Sequence, residues 1–171
     1  MSTFLFDSII FGPVWSRRLG ESLGINLLPL NRKTCNFNCI YCECGLTPEK
    51  LADSGFPERR MVRELLRDKL QQMKQDGRYL DSITFAGNGE PTLHPGFEGI
   101  MDDSIAIRDE FFPRASVAVL SNATRIGEKN IFKALQKADM NILKLDSGIE
   151  QTLKKINCPK GHFDLTKGLF N

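Results

Sequence analysis

The stretch T-C-N-F-N-C-I-Y-C-E-C, residues 34–44, holds four of the chain's five cysteines. Thiols crowded into one loop can oxidise to disulfides, grip a zinc ion or bind iron. Disulfides are the weakest of these readings: five is an odd number for paired bridges, and a reducing cytosol keeps thiols free. Zinc takes four ligands, commonly as two spaced pairs. Here Cys39 and Cys42 form one pair, and only Cys44 or the distant Cys158 is left to complete the set. Cys35-x3-Cys39-x2-Cys42 instead offers three thiolates from one compact loop. That set suits a cubane iron–sulfur cluster, in which three protein ligands leave one iron open for chemistry. Iron–sulfur leads and zinc stands second.

A second chemical stretch is F-A-G-N-G-E-P-T-L-H-P, residues 85–95. Gly87 and Gly89 let a backbone approach a ligand closely, and Glu90 can accept hydrogen bonds from an ammonium group. Taken alone, Gly-x-Gly-Glu is more often just a turn. Its weight comes from lying at the end of the strand that follows the cysteine loop.

The elements that must position these residues follow from periodicity. G-I-N-L-L-P-L (24–30), S-I-T-F-A-G (82–87), A-S-V-A-V-L-S-N (115–122) and M-N-I-L-K-L-D (140–146) read as strands. Between and after them, 61–73, 95–112, 128–139 and 148–156 carry apolar residues at helical spacing, among them Leu65 in the first and Phe132 in the third. Strand–helix repeated four times predicts an α/β domain with a parallel sheet, either doubly wound or barrel-like. In 140–146 a period of two puts Lys144 and Asp146 on one face, which a flat sheet buried on both sides would tolerate poorly and a barrel interior accommodates. Ser121 and Asn122 end the third strand and Asp146 the fourth, on the rim where sites of such folds gather; a capping role for each is the competing expectation.

Composition sets the class. With 171 residues, 41 % hydrophobic and 26 % charged, residues 1–171 read as one globular domain of near-neutral charge, +2. That balance gives no independent sign of nucleic-acid binding, and the cluster Arg59, Arg60, Arg63 and Arg67 reads as a solvated helix face. No apolar run reaches membrane-spanning length, and Asp7 interrupts the only stretch resembling a signal, so a cytoplasmic protein without a membrane partner is expected.

C-x3-C-x2-C with Tyr41 just before the third cysteine resembles the signature of radical S-adenosylmethionine enzymes. The resemblance implies a partial (β/α) barrel with the cluster loop after its first strand, a [4Fe–4S] cluster on Cys35, Cys39 and Cys42, and S-adenosyl-L-methionine chelated to the open iron. Tyr41 would pack near the adenine and the Gly87-Asn88-Gly89-Glu90 turn would meet the cofactor's amino group. The rim residues Ser121, Asn122 and Asp146 would meet its carboxylate and ribose. It further implies reductive cleavage to a 5′-deoxyadenosyl radical that abstracts hydrogen, fed by a one-electron reductant such as a flavodoxin or ferredoxin.

The opening F-G-P-V-W-S-R-R-L-G-E-S-L-G-I, together with T-F-A-G-N-G-E-P-T-L-H-P and K-L-D-S-G, is similar to the wyosine- or wybutosine-related iron–sulfur oxidoreductases, with Trp15 in place of a small residue or proline. That likeness implies a role in RNA or protein modification, with substrate and catalytic residues unspecified. Cys44 falls outside the triad. Enzymes of this type use about six β/α units against four counted here, so an early stop and an unpaired edge at 140–146, open to dimerisation, are expected. A non-catalytic iron–sulfur module or inactive remnant is the alternative, and a zinc-binding interaction domain the less favoured one.

Overall fold

Val62, Leu66, Leu70 and Met73 share one buried stripe of helix α1 (Arg59–Gln75), leaving its charged residues to solvent. Gly77 ends the helix at φ +65°, and the amides of Gly77 and Arg78 reach back to the carbonyls of Lys74 and Met73. The computed structural model describes residues 3–49, 55–161 and 163–165. Beyond α1 it comprises strands β1 (Ile10–Ser16), β2 (Gly20–Ile25), β3 (Ser82–Phe85), β4 (Ser116–Ser121) and β5 (Met140–Leu143). Helices α2 (Phe97–Phe111), α3 (Lys129–Lys137) and α4 (Glu150–Asn157) complete it, with a short 3₁₀ turn at Pro91–Leu93.

The five strands form one sheet in the order β1-β2-β3-β4-β5; β1 is antiparallel to β2, and β2 to β5 run parallel. Because the parallel strands follow one another without reversal, right-handed crossovers place α1, α2 and α3 on one face, where they pack side by side. A doubly wound sheet needs a reversal of order, and here there is none. Leu23, Ile25, Ile83, Phe85, Val117 and Val119 point to the helices and join the main core. In register beside them, Ser22, Gly24, Thr84 and Ala118 alternate to the opposite face, where the hydroxyls of Ser22 and Thr84 bond at 2.7 Å. One face apolar under helices and the other small and polar is the arrangement of a barrel segment.

Three sequence expectations need correction. Strand β1 was not expected; Gly12 and Pro13 interrupt its pairing register between Phe11 and Val14, and it reads as irregular for that reason. The strand placed at 24–30 lies at Gly20–Ile25, because Asn26 turns the chain by accepting Leu28 N–H on its side chain. Leu65 and Phe132, placed on buried stripes, are 41 % and 47 % exposed. Strand β5 is the sheet's second edge among the described residues, as the unpaired-edge reading expected, with Leu143 and Leu145 exposed. The arginine cluster of α1 is a solvated face: Arg59 pairs with Asp103, Arg60 with Glu64, and Arg67 with Glu110.

Asp139 fixes where β5 begins. Its carboxylate accepts from Val117 N–H at 2.7 Å and from Arg108 at 2.8 Å. Burial pushes its pKa up, yet those two donors outweigh burial and hold it below the ordinary carboxylate value. A lowered carboxyl pKa adds stability above the unfolded pKa and loses it as pH falls through the folded one. Asp139→Asn is therefore expected to cost about 1 kcal/mol at pH 7, discounted for solvent exposure. The deficit should shrink below about pH 3.9. Urea unfolding at the two pH values measures it, and a deficit independent of pH would remove the charge from the account.

Candidate functional site

The loops that leave the C-terminal ends of β2, β3, β4 and β5 converge on one cavity of about 510 Å³. It is lined by Cys35, Cys39, Cys42 and Cys44, by Tyr41, by Gly87, Gly89 and Glu90, and by Ser121 and Asn122. Residues from four loops, with Cys35 and Leu145 110 positions apart, thus meet in one place.

Backbone pairing holds the cysteine loop. Thr34 forms a parallel bridge with Gly89: its N–H donates to Asn88 O at 2.8 Å, and its carbonyl accepts from Glu90 N–H at 3.1 Å. Gly87 and Gly89 sit at φ +149° and +143°, a conformation closed to side-chain-bearing residues. A Cβ on Gly89 would lie 1.9 Å from Thr34 O, so this glycine serves the approach of two backbones. On its other side the cysteine loop rests on the end of α4, where Asn38 N–H donates to Asn157 O and Ile40 N–H to Ile156 O, both at 2.9 Å. Helix carbonyls that have no partner within the helix are satisfied in this way.

The sulfurs themselves receive hydrogen bonds. Phe37 N–H donates to Cys35 Sγ at 3.4 Å; Asn157 Nδ2 and Lys144 Nζ donate to Cys39 Sγ at 3.3 and 3.4 Å. Burial pushes the Cys35 thiol up to about 11, more than the Phe37 N–H lowers it. Burial and the neighbouring Cys42 thiol take Cys44 to about 11 as well. Cys158 is exposed on the left-handed cap of α4, outside the cavity lining, and assembles no quartet with the other cysteines.

Glu90 is 2 % exposed, and local donors engage both of its oxygens. Oε1 accepts from Thr92 N–H and from the hydroxyls of Thr92 and Ser121, while Oε2 accepts from Asn122 N–H at 2.7 Å. Ser121 and Asn122 also make local capping contacts: Ser121 Oγ accepts from Ala123 N–H, and Asn122 Oδ1 from Thr124 N–H. Glu90→Gln keeps Oε1 but sets an NH₂ against Asn122 N–H, leaving a half-buried donor without an acceptor. We expect a loss of roughly 2 kcal/mol in chemical denaturation, and an unchanged midpoint would show that the Asn122 contact carries nothing.

Two expected site residues lie elsewhere. Asn88 is fully buried and turned away, donating to Phe6 O and Pro29 O and accepting Phe6 N–H, so it ties the N-terminal segment to the β3 loop. Asp146 lies on a neighbouring, mostly apolar cavity of about 300 Å³. From there it reaches the site through Lys144, at 2.9 Å, and the Tyr41 hydroxyl, while Lys144 Nζ stands 4.4 Å from the centre of the Tyr41 ring. Sequence reasoning missed Lys33, Leu120 and Asn157. No pattern marks them, because distant segments bring them to the cavity or to its sulfurs.

The radical SAM superfamily profile matches residues 33–169. The chain belongs to the radical SAM superfamily. A protein of Brachyspira hyodysenteriae named GTPase Obg is 34 % identical over 158 residues, which is 92 % of this chain and 22 % of that protein. A UPF0026 protein of Methanocaldococcus jannaschii is 31 % identical over 92 % of this chain and 46 % of its own length. One of Synechocystis is 32 % identical over 91 % and 55 %. The chain thus spans about half, or less, of the length of these relatives. The crystal structure of BtrN in complex with AdoMet and 2-DOIA aligns with a TM-score of 0.52 at 18 % identity, over 78 % of this chain and 48 % of that one, a likeness of fold.

In this radical SAM chain, the donor set fits a cluster by its chemistry. Among the described residues no three His, Cys, Asp or Glu side chains draw close enough to grip a single ion. A cubane gives each thiolate its own iron, so its ligands surround a space instead of meeting at a point. Three motif thiols face one cavity, two of them already receiving N–H donors, as cluster sulfurs do. No described helix is long and apolar enough to cross a membrane.

Proposed function

We propose that the chain is the core of a radical S-adenosylmethionine enzyme in which Cys35, Cys39 and Cys42 hold a [4Fe–4S] cluster and the cavity beside them takes S-adenosyl-L-methionine. The observation that carries this reading is the convergence of the motif cysteines, the Gly87–Glu90 turn and the end of β4 on one cavity. When bound, the two groups supply hydrogen-atom abstraction driven by one-electron reductive cleavage of the sulfonium.

The chain's own residues position and shield. Leu120, Ile142, Leu143 and Leu145 give the cavity an apolar wall against which a bound cofactor would pack. Gly87 and Gly89 let the β3 loop close onto Asn26 and Thr34 beside the cysteine loop, and Tyr41, held by Lys144 and Asp146, offers a flat apolar face for a purine. Glu90, committed to Thr92, Ser121 and Asn122, orders the loops where the cofactor's amino group would lie. A flavodoxin- or ferredoxin-type donor would deliver the electron in the cytoplasm. The wyosine-like lead-in, residues 11–25, forms the β1–β2 hairpin and supports an RNA or protein substrate.

Anaerobic reconstitution with iron and sulfide tests the reading. About four irons per chain, broad visible absorption and 5′-deoxyadenosine on reduction are expected. A cluster without cofactor cleavage would leave a non-catalytic module, and a colourless protein with stoichiometric zinc would overturn the iron–sulfur assignment.

A further inference from the structure

Lys33 is buried to 2 % exposure on the wall of the thiol cavity. Its ammonium donates to Gly45 O at 2.9 Å, and among the described residues it has no carboxylate within ion-pair distance. A buried cation is costly unless an opposite charge accompanies it, and lysine is among the residues least often buried without one. The other charged groups around the cavity do not serve. Glu90 is engaged by Thr92, Ser121 and Asn122, Lys144 is itself paired with Asp146, and Arg18 on the same lining is exposed to solvent. What lies beside Lys33 is sulfur: it shares the cavity wall with Cys35, Cys39, Cys42 and Cys44.

We propose that Lys33 is the built-in counter-charge of the iron–sulfur group and raises its reduction potential. The inference rests on the cluster reading above. Each one-electron reduction, fed by an external reductant, adds negative charge to a group already surrounded by thiolates, and a fixed buried cation favours the more negative state. A unit charge acting over roughly 10 Å at an effective dielectric of 20 changes an equilibrium constant more than tenfold. The Gly45 bond holds the ammonium in place and anchors the end of the cysteine loop, but a neutral donor could make that bond equally well.

The test compares the wild type with Lys33→Gln and Lys33→Arg, each reconstituted anaerobically as the full chain. Iron content is counted and the cluster's reduction followed by electron paramagnetic resonance against a series of redox mediators. Lys33→Gln keeps a donor for Gly45 and loses the charge; Lys33→Arg keeps the charge. We expect equal iron in all three, a fall of about tenfold in the reduction equilibrium constant for Lys33→Gln, which is 59 mV for one electron, and less than about threefold for Lys33→Arg. Equal potentials in wild type and Lys33→Gln overturn the inference, as does a Lys33→Arg as low as Lys33→Gln. If Lys33→Gln takes up no iron, Lys33→Ala is reconstituted with ethylammonium or with sodium chloride at equal ionic strength. Recovery of the cluster with ethylammonium alone supports the counter-charge, and no recovery overturns it. A wild type that assembles no cluster overturns the functional reading and this inference together, whereas a loaded wild type with an indifferent Lys33→Gln overturns only the latter.

Discussion

Replacing any one of Cys35, Cys39 or Cys42 with alanine is expected to abolish a stable cluster, while Cys44→Ala and Cys158→Ala retain it. Three thiolates on one loop are the fewest that hold a cubane with one open iron, so losing one leaves two irons without protein ligands. The geometry sorts the five thiols unequally. The three motif thiols line the cavity, and Phe37, Asn157 and Lys144 donate to two of them. Cys158 points to solvent from the cap of α4. Cys44 is the demanding case, because it also lines the cavity and its Sγ lies 3.8 Å from Gly87 O. Iron analysis and visible absorption after anaerobic reconstitution give the answer. Loss of iron in Cys44→Ala would mean that the ligand set is not the three-cysteine motif.

Gly89→Ala should cost about 3 kcal/mol of stability, the sum of a disallowed backbone conformation and a backbone clash. At φ +143° alanine is strained wherever it is placed. Its Cβ would lie 1.9 Å from Thr34 O and 2.5 Å from Thr34 C, atoms that cannot swing aside as a side chain can. Relief requires the cysteine loop to lift from the β3 loop, which gives up the Thr34–Asn88 and Glu90–Thr34 bonds. The variant should therefore show a lower unfolding midpoint and faster alkylation of Cys35. Gly148 supplies the control: a Cβ there meets nothing within 4 Å, so Gly148→Ala should stay within about 0.5 kcal/mol of wild type. Similar midpoints for the two variants would show that the Thr34–Gly89 contact does not hold the loop.

Much of the fold was legible because it is local. The stripe Val62, Leu66, Leu70 and Met73 announces a helix wherever it occurs, and the apolar runs of β3 and β4 announce covered strands. Strand β1 escaped because Gly12 and Pro13 break the alternation that periodicity detects. Leu65 and Phe132 were placed on buried stripes because helical spacing defines a sector, whereas burial depends on which neighbour covers its edge.

The site divides in the same way. The triad spacing and the Gly-Asn-Gly-Glu turn are short-range patterns, and both take their places on the cavity from the loops that carry them. Asn88 lies inside that turn, yet it faces inward because Phe6, 82 positions away, takes its side chain.

By itself, then, the sequence determined the three-cysteine motif, the glycine turn and the strand–helix alternation that puts both on the same rim. Only the tertiary structure decided that Asn157, 118 positions from Cys39, donates to its sulfur. It alone decided that Lys144, just past β5, reaches the same atom, and that Lys33 is buried with no carboxylate beside it among the described residues. The reason is physical: spacing reports which residues share a face or a loop. Burial and charge pairing depend on which distant segments pack against that face, and packing is a property of the whole chain.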